Sequence, residues 1–93
     1  LATPSSARKR HKQSLKRRAR NRHVRSTVRT AVRKVRAALA EGQVDQALEA
    51  LPVAASVIAR AAAKGVLHRK TAARKISRLA RAAHRAAAAP PTS

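Results

Sequence analysis

The chain has 93 residues, with 23 Lys or Arg against three carboxylates, for a net charge of +20. It holds no Cys, Phe, Tyr, Trp or Met, and 24 of its 41 apolar residues are Ala. These numbers leave room for one small domain with a thin core and no disulfide, exclude base stacking on aromatic rings, and point to a polyanion as partner.

The charge is also segregated. Fourteen basic residues lie between Arg8 and Arg36, where there is no carboxylate. Glu41, Asp45 and Glu49 fall within nine positions of one another. No apolar run approaches the roughly 20 residues that span a bilayer. No signal peptide is expected, because the first apolar stretch follows the basic block and is broken by charges. The lack of Cys fits a reducing compartment.

The composition predicts an all-α chain. Ala, Arg and Lys favour helix, no alternating strand pattern is present, and Gly42 and Gly65 each fall where a helix should end. The first five residues are expected to be disordered. The first helix is expected over about 6–41, capped by Ser5 or Ser6 after Pro4. From Val24 onward it carries an apolar stripe: Val24, Val28, Ala31, Val32, Val35, Ala38 and Leu39. Before Val24 only Leu15 and Ala19 are apolar after Arg8, and basic residues point all around the axis. Like charges four residues apart oppose helix formation in such an arm until a polyanion neutralises them.

The second helix is expected over about 45–64, with Asp45 as N-cap and Glu49 in its first turn. Its stripe reads Ala47, Leu48, Leu51, Ala55, Ile58 and Ala62. Pro52 falls inside this pattern and predicts a kink, or a break with a restart at Pro52. The third helix is expected over about 69–88, with Ala72, Ile76, Leu79, Ala83 and Ala86 on one face. Pro90 and Pro91 end it, and 89–93 are expected to be disordered. The most buried side chains should be Val28, Val35, Leu48, Leu51, Ile58, Ile76 and Leu79.

Short connections force antiparallel neighbours. The expected fold is an up-down-up three-helix bundle whose long, basic first helix overhangs its partners. That topology puts the second connection, with His68, Arg69 and Lys70, beside the base of the overhang. The carboxylates fall at the other end, so the molecule reads as a dipolar rod.

Ser14, Asn21, Ser26 and Thr30 interleave with the charges and can bond phosphates or sugar hydroxyls. The four His (His11, His23, His68, His84) have no tight pair and no Cys nearby, so no metal site is expected. His68 either caps the third helix or touches a phosphate. No nucleophile-and-base set, Gly-rich phosphate loop or G-x-S-x-G is present. Neither an enzyme, a cofactor nor a small-molecule substrate is expected.

The run KRHKQSLKRRARNRHVRSTVRTAVRKVRAAL (Lys9 to Leu39), followed by AAAKGVLHRKTAARKISRLARA (Ala61 to Ala82), closely resembles the bacterial small-subunit ribosomal protein family numbered twenty. The resemblance covers about Ser6 to Ala82. It implies a three-helix bundle with a long first helix, bound to small-subunit ribosomal RNA low on the body of the particle. The implied role is structural: joining RNA helices and aiding assembly, with neighbouring ribosomal proteins as further partners and no membrane. It implies a cytoplasmic ribosome, an organellar one being left open. Carried onto this chain, the RNA contacts fall on Arg8, Lys9, Arg10, Lys12, Lys16, Arg17, Arg18, Arg20, Asn21, Arg22, Arg25, Ser26 and Arg29. A second group is His68, Arg69, Lys70, Thr71, Arg74, Lys75 and Arg78. The alternative reading is a histone-like protein that compacts duplex DNA. A cationic membrane-active peptide is the weaker rival, because the arm lacks an apolar face.

Overall fold

A computed structural model describes residues 4–89 and is all-helical, with α1 Pro4–Ala40, α2 Val44–Ala63 and α3 Arg69–Ala88. α2 packs along both neighbours, while α1 and α3 touch far less. The architecture is the expected up-down-up bundle with a long first helix.

The radius of gyration is 18.5 Å and the extents are 72 × 21 × 14 Å. A compact chain of this length would have a radius of about 12 Å. The excess comes from α1. It has 37 residues, or about 55 Å at 1.5 Å per residue. Its first buried side chain is Val24, so the twenty residues before that project about 30 Å beyond the packing.

Both interhelix turns are set by glycine. Gly42 has φ 74° and Gly65 has φ 77°, a region that L side chains rarely adopt. At the first turn the Gln43 N–H donates to the Ala38 carbonyl (2.8 Å) and Gly42 N–H to Leu39 (3.1 Å). At the second, Val66 N–H donates to Ala61 and Gly65 N–H to Ala62, both at 3.0 Å. These paired bonds are Schellman motifs that satisfy the last carbonyls of each helix. Val66, buried at the second turn, closes the apolar side of that motif.

The core differs from the expected list in an instructive way. Val28, Val35, Ile58 and Leu79 are buried, with Ile58 and Val35 at 0% exposure. Leu48, Leu51 and Ile76 are only half-buried. Their central places are taken by Ala47, Ala54, Ala61, Ala72 and Ala83. On α2 the buried line runs 47, 54, 58, 61, the spacing of sevens, fours and threes that marks a helix seam. The small Ala residues let the helices approach closely, and the Leu residues lie over the flanks. Ala55 and Ala62, read as stripe positions, are half-buried beside that line.

Helix ends bring further corrections. α1 begins at Pro4, whose fixed φ suits the first helical position. Ser5 and Ser6 therefore lie in its first turn rather than capping it, and α1 takes in residues 4 and 5. The N-cap of α2 is Gln43, not Asp45, and makes no side-chain cap bond. Asp45 instead sits in the first turn, where a carboxylate complements the helix dipole, and Glu49 lies one turn further on. α2 runs unbroken through Pro52, so the expected break and restart do not occur. The Leu48 carbonyl loses the N–H that a residue other than proline would supply. Ala89, placed in the disordered tail by sequence, closes α3 with its N–H on the Arg85 carbonyl at 3.0 Å. Its extended backbone is the conformation favoured before a proline. The expectations for residues 1–3 and 90–93, including helix termination by Pro90 and Pro91, lie outside the described residues.

Candidate nucleic-acid interface

The candidate interface is centred on α1. Nine cations stand between Arg8 and Arg22, about 21 Å of helix, or one per about 2.3 Å. Duplex nucleic acid carries one negative charge per about 1.7 Å of axis, so the arm comes close to matching it charge for charge. Arg8, Lys9, Arg10, Lys12, Lys16, Arg17, Arg18, Arg20 and Arg22 are all exposed. They lie on every side of the helix, and among the described residues no other element buries a side chain here. Leu15, at 51% exposure, stands among them.

From Val24 the helix becomes two-sided. Val24, Val28, Val35 and Ala38 turn inward. Arg25, Arg29, Arg33 and Arg36 stay exposed, and their spacing of four, four and three keeps them on one face. Arg18, Asn21, Arg22, Arg25 and Arg29 line a groove of about 430 Å³ at the base of the arm. Arg29 also belongs to a second groove of about 490 Å³ between α1 and α3. That groove is floored by Val28, Val32, Ala37 and Ala40, with Arg33, Arg36 and Lys75 also lining it. The two grooves thus join into one basic strip.

The second connection lies where topology places it. Lys64 and Arg60 share a small groove with His23, Val24 and Thr27, so the C-terminus of α2 meets the base of the arm. At the other end, Gly42, Gln43, Val44, Asp45 and Gln46 form a shallow surface with a carboxylate. The carboxylates therefore stand at the end of the bundle remote from the arm, as expected, but Arg81 and Arg85 of α3 lie at that end too, so it is less basic rather than acidic.

His68 is a cap. Its Nδ1 accepts the Lys70 backbone N–H at 3.1 Å, and its backbone is extended, as an N-cap requires. His68 as a whole is exposed, as are its neighbours Arg69 and Lys70. Of the α3 candidates, Lys75 meets the α1 arginines across the groove. Arg69, Lys70, Arg74 and Arg78 are exposed elsewhere on α3, and Thr71 is half-buried.

Two candidates fall on a different face. Ser26 and Thr30 line a groove of about 470 Å³ between α1 and α2, with His23, Lys34, Val53 and Val57. The Thr30 hydroxyl donates to the Ser26 carbonyl at 3.0 Å, and Thr27 does the same to His23 at 2.9 Å. Their protons are spent inside the helix and are not offered to a phosphate. Asn21 is half-buried, and its Oδ1 is buried with no hydrogen-bond partner. Arg33, Arg36 and Lys64 also line these grooves and are not among the residues expected from sequence. The signal for Arg33 and Arg36 was available, since they continue the Arg25–Arg29 spacing. Lys64 needed the antiparallel packing to bring it beside His23.

Among the described residues no group of three His, Cys, Asp or Glu could hold a metal ion, and no helix is long and apolar enough to cross a membrane.

The family model described as "Ribosomal protein S20" matches residues 2–84. A protein of Nitratidesulfovibrio vulgaris named small ribosomal subunit protein bS20 is 53% identical over 94% of this chain and 100% of its own length. Its namesake from Anaeromyxobacter dehalogenans is 53% identical over 96% of this chain and 97% of its own. The Desulfovibrio desulfuricans protein of that name is 52% identical over 88% and 92%.

Proposed function

The chain belongs to the ribosomal protein S20 family, and from that premise we propose that it binds small-subunit ribosomal RNA directly, along the arm and basic strip of α1 and the N-terminal half of α3. As a small-subunit ribosomal protein it is a structural component, not an enzyme, and in bacteria such a protein is cytoplasmic. Its chemistry is neutralisation. RNA helices that pack side by side bring phosphates together, and their repulsion falls when fixed cations stand between them. An arm charged on all sides meets phosphates on more than one side at once. The bundle anchors that arm and presents a second basic surface, so two RNA segments are held in a set relation, which aids assembly.

The observation that carries this reading is the projection of nine cations on a helix about 30 Å beyond any packing. A surface so costly in self-repulsion has a physical rationale only against a polyanion. The test is a set of binding isotherms for small-subunit ribosomal RNA and for duplex DNA at moderate salt. The proposal expects selective binding to the RNA, with affinity falling steeply as salt rises. Equal or tighter binding to duplex DNA would favour the DNA-compacting alternative and overturn it.

A further inference from the structure

The groove at the base of the arm contains a buried acceptor that makes no hydrogen bond to any described residue. Its lining consists of Arg18, Arg22, Arg25, Arg29 and Asn21. Guanidinium groups only donate hydrogen bonds, and none of these four bonds the Asn21 oxygen; against a nucleic acid their N–H groups turn to phosphate oxygens instead. Asn21 Oδ1 is the one side-chain acceptor in that lining, and it is buried and unpaired. A phosphate at neutral pH offers it no proton. On a nucleic-acid backbone the group that does is the ribose 2′-hydroxyl, which DNA lacks.

We propose that Asn21 is the residue through which the arm recognises ribose: its Oδ1 accepts a 2′-hydroxyl proton while Arg18, Arg22, Arg25 and Arg29 hold the phosphates on either side. This deepens the RNA-binding reading above and rests on it. The position suits the role. Asn21 stands three residues before Val24, the first side chain buried in the bundle, so its backbone is held by the packed half of α1. The arm further out has no such anchor. From Arg18 to Arg29 the four arginines span twelve residues, about 16 Å of helix, enough to bracket a ribose edge in the wide, shallow minor groove of A-form RNA. Their exposed side chains swing towards the phosphates on binding and uncover the carbonyl beneath. The strip of arginines supplies affinity without regard to sugar type, and Asn21 supplies the discrimination.

The experiment compares a short RNA duplex with the same duplex carrying 2′-fluoro at every ribose, which stays A-form but has no 2′ proton. The full-length chain should bind the unmodified duplex about three- to tenfold more tightly, the worth of one hydrogen bond. Asn21→Ala should bind both duplexes equally, with the wild-type salt slope, because no charge is lost. Arg22→Ala should weaken both by the same factor and lower the slope. An Asn21→Ala chain that keeps the preference, or a wild-type chain without one, overturns the assignment while leaving RNA binding intact. A wild-type chain that binds neither duplex overturns the RNA-binding reading as well.

Discussion

Truncating Ile58 tests whether the seam of α2 is the true centre of the bundle. Ile58 is completely buried. Ile58→Ala removes three buried carbons, worth about 2.4 kcal/mol at about 0.8 kcal/mol each. The cavity left behind adds about 1 kcal/mol, so the total is about 3–4 kcal/mol. The packed part of the chain, about 65 residues, should have only about 3–10 kcal/mol of stability in all. Thermal unfolding followed by circular dichroism at 222 nm should therefore shift down by about 12 °C or more, or the bundle should already be unfolded at room temperature. Leu51 is the control. It is half-buried on the flank of the same helix, so Leu51→Ala should cost about half as much. A Leu51→Ala loss equal to or greater than that of Ile58→Ala would refute the assignment of the Ala-lined seam as the core.

Charge neutralisation should act unevenly along the rod. Arg17, Arg18, Arg22 and Arg25 changed together to Gln should weaken RNA binding and flatten the salt dependence by about 0.7–0.9 log unit per lost phosphate contact. Arg69, Lys70 and Arg74 changed together should do likewise, whereas Gln or Asn at Glu41, Asp45 and Glu49 should leave the slope unchanged in the same isotherms. The arm has no packing to hold it, so helical ellipticity should rise when RNA is added to the free protein; an unchanged signal would mean the arm is fully helical alone. Removing the cap with His68→Ala should cost about 1 kcal/mol of bundle stability in urea unfolding, and no loss would show that the Nδ1 bond to Lys70 is not maintained in solution.

The features legible in the sequence were those with a single physical solution. A helix ending in a residue at positive φ needs glycine, so Gly42 and Gly65 marked both turns. A helix without Gly or Pro from Ser5 to Glu41, with an apolar stripe only from Val24 onward, had to overhang. The large residues Val35, Ile58 and Leu79 were found because few alternatives compete with them. The exact seam was less legible, because α2 is crowded with Ala. There the stripe can be drawn through Leu48, Leu51 and Ala55 or, one residue round, through Ala47, Ala54 and Ala61. Size favours the first line, and close helix approach selects the second. Asp45 was the better cap by propensity, yet the Schellman turn at Gly42 leaves only Gln43 between itself and the helix. At the interface, charge alone could not separate the face carrying Arg22, Arg25 and Arg29 from the one carrying Ser26 and Thr30. That division appeared only once α2 and α3 were seated against α1.

If the arm and the basic strip of α1 carry the RNA, ribosomal RNA should cover both and leave the Glu41–Glu49 turn bare. Hydrogen exchange of the protein, free and bound to small-subunit ribosomal RNA, measures this directly. Added protection is expected over Arg8–Arg36 and Arg69–Arg78, with none over Glu41–Glu49. Protection centred on Glu41–Glu49, or an arm that exchanges equally fast with and without RNA, would contradict it.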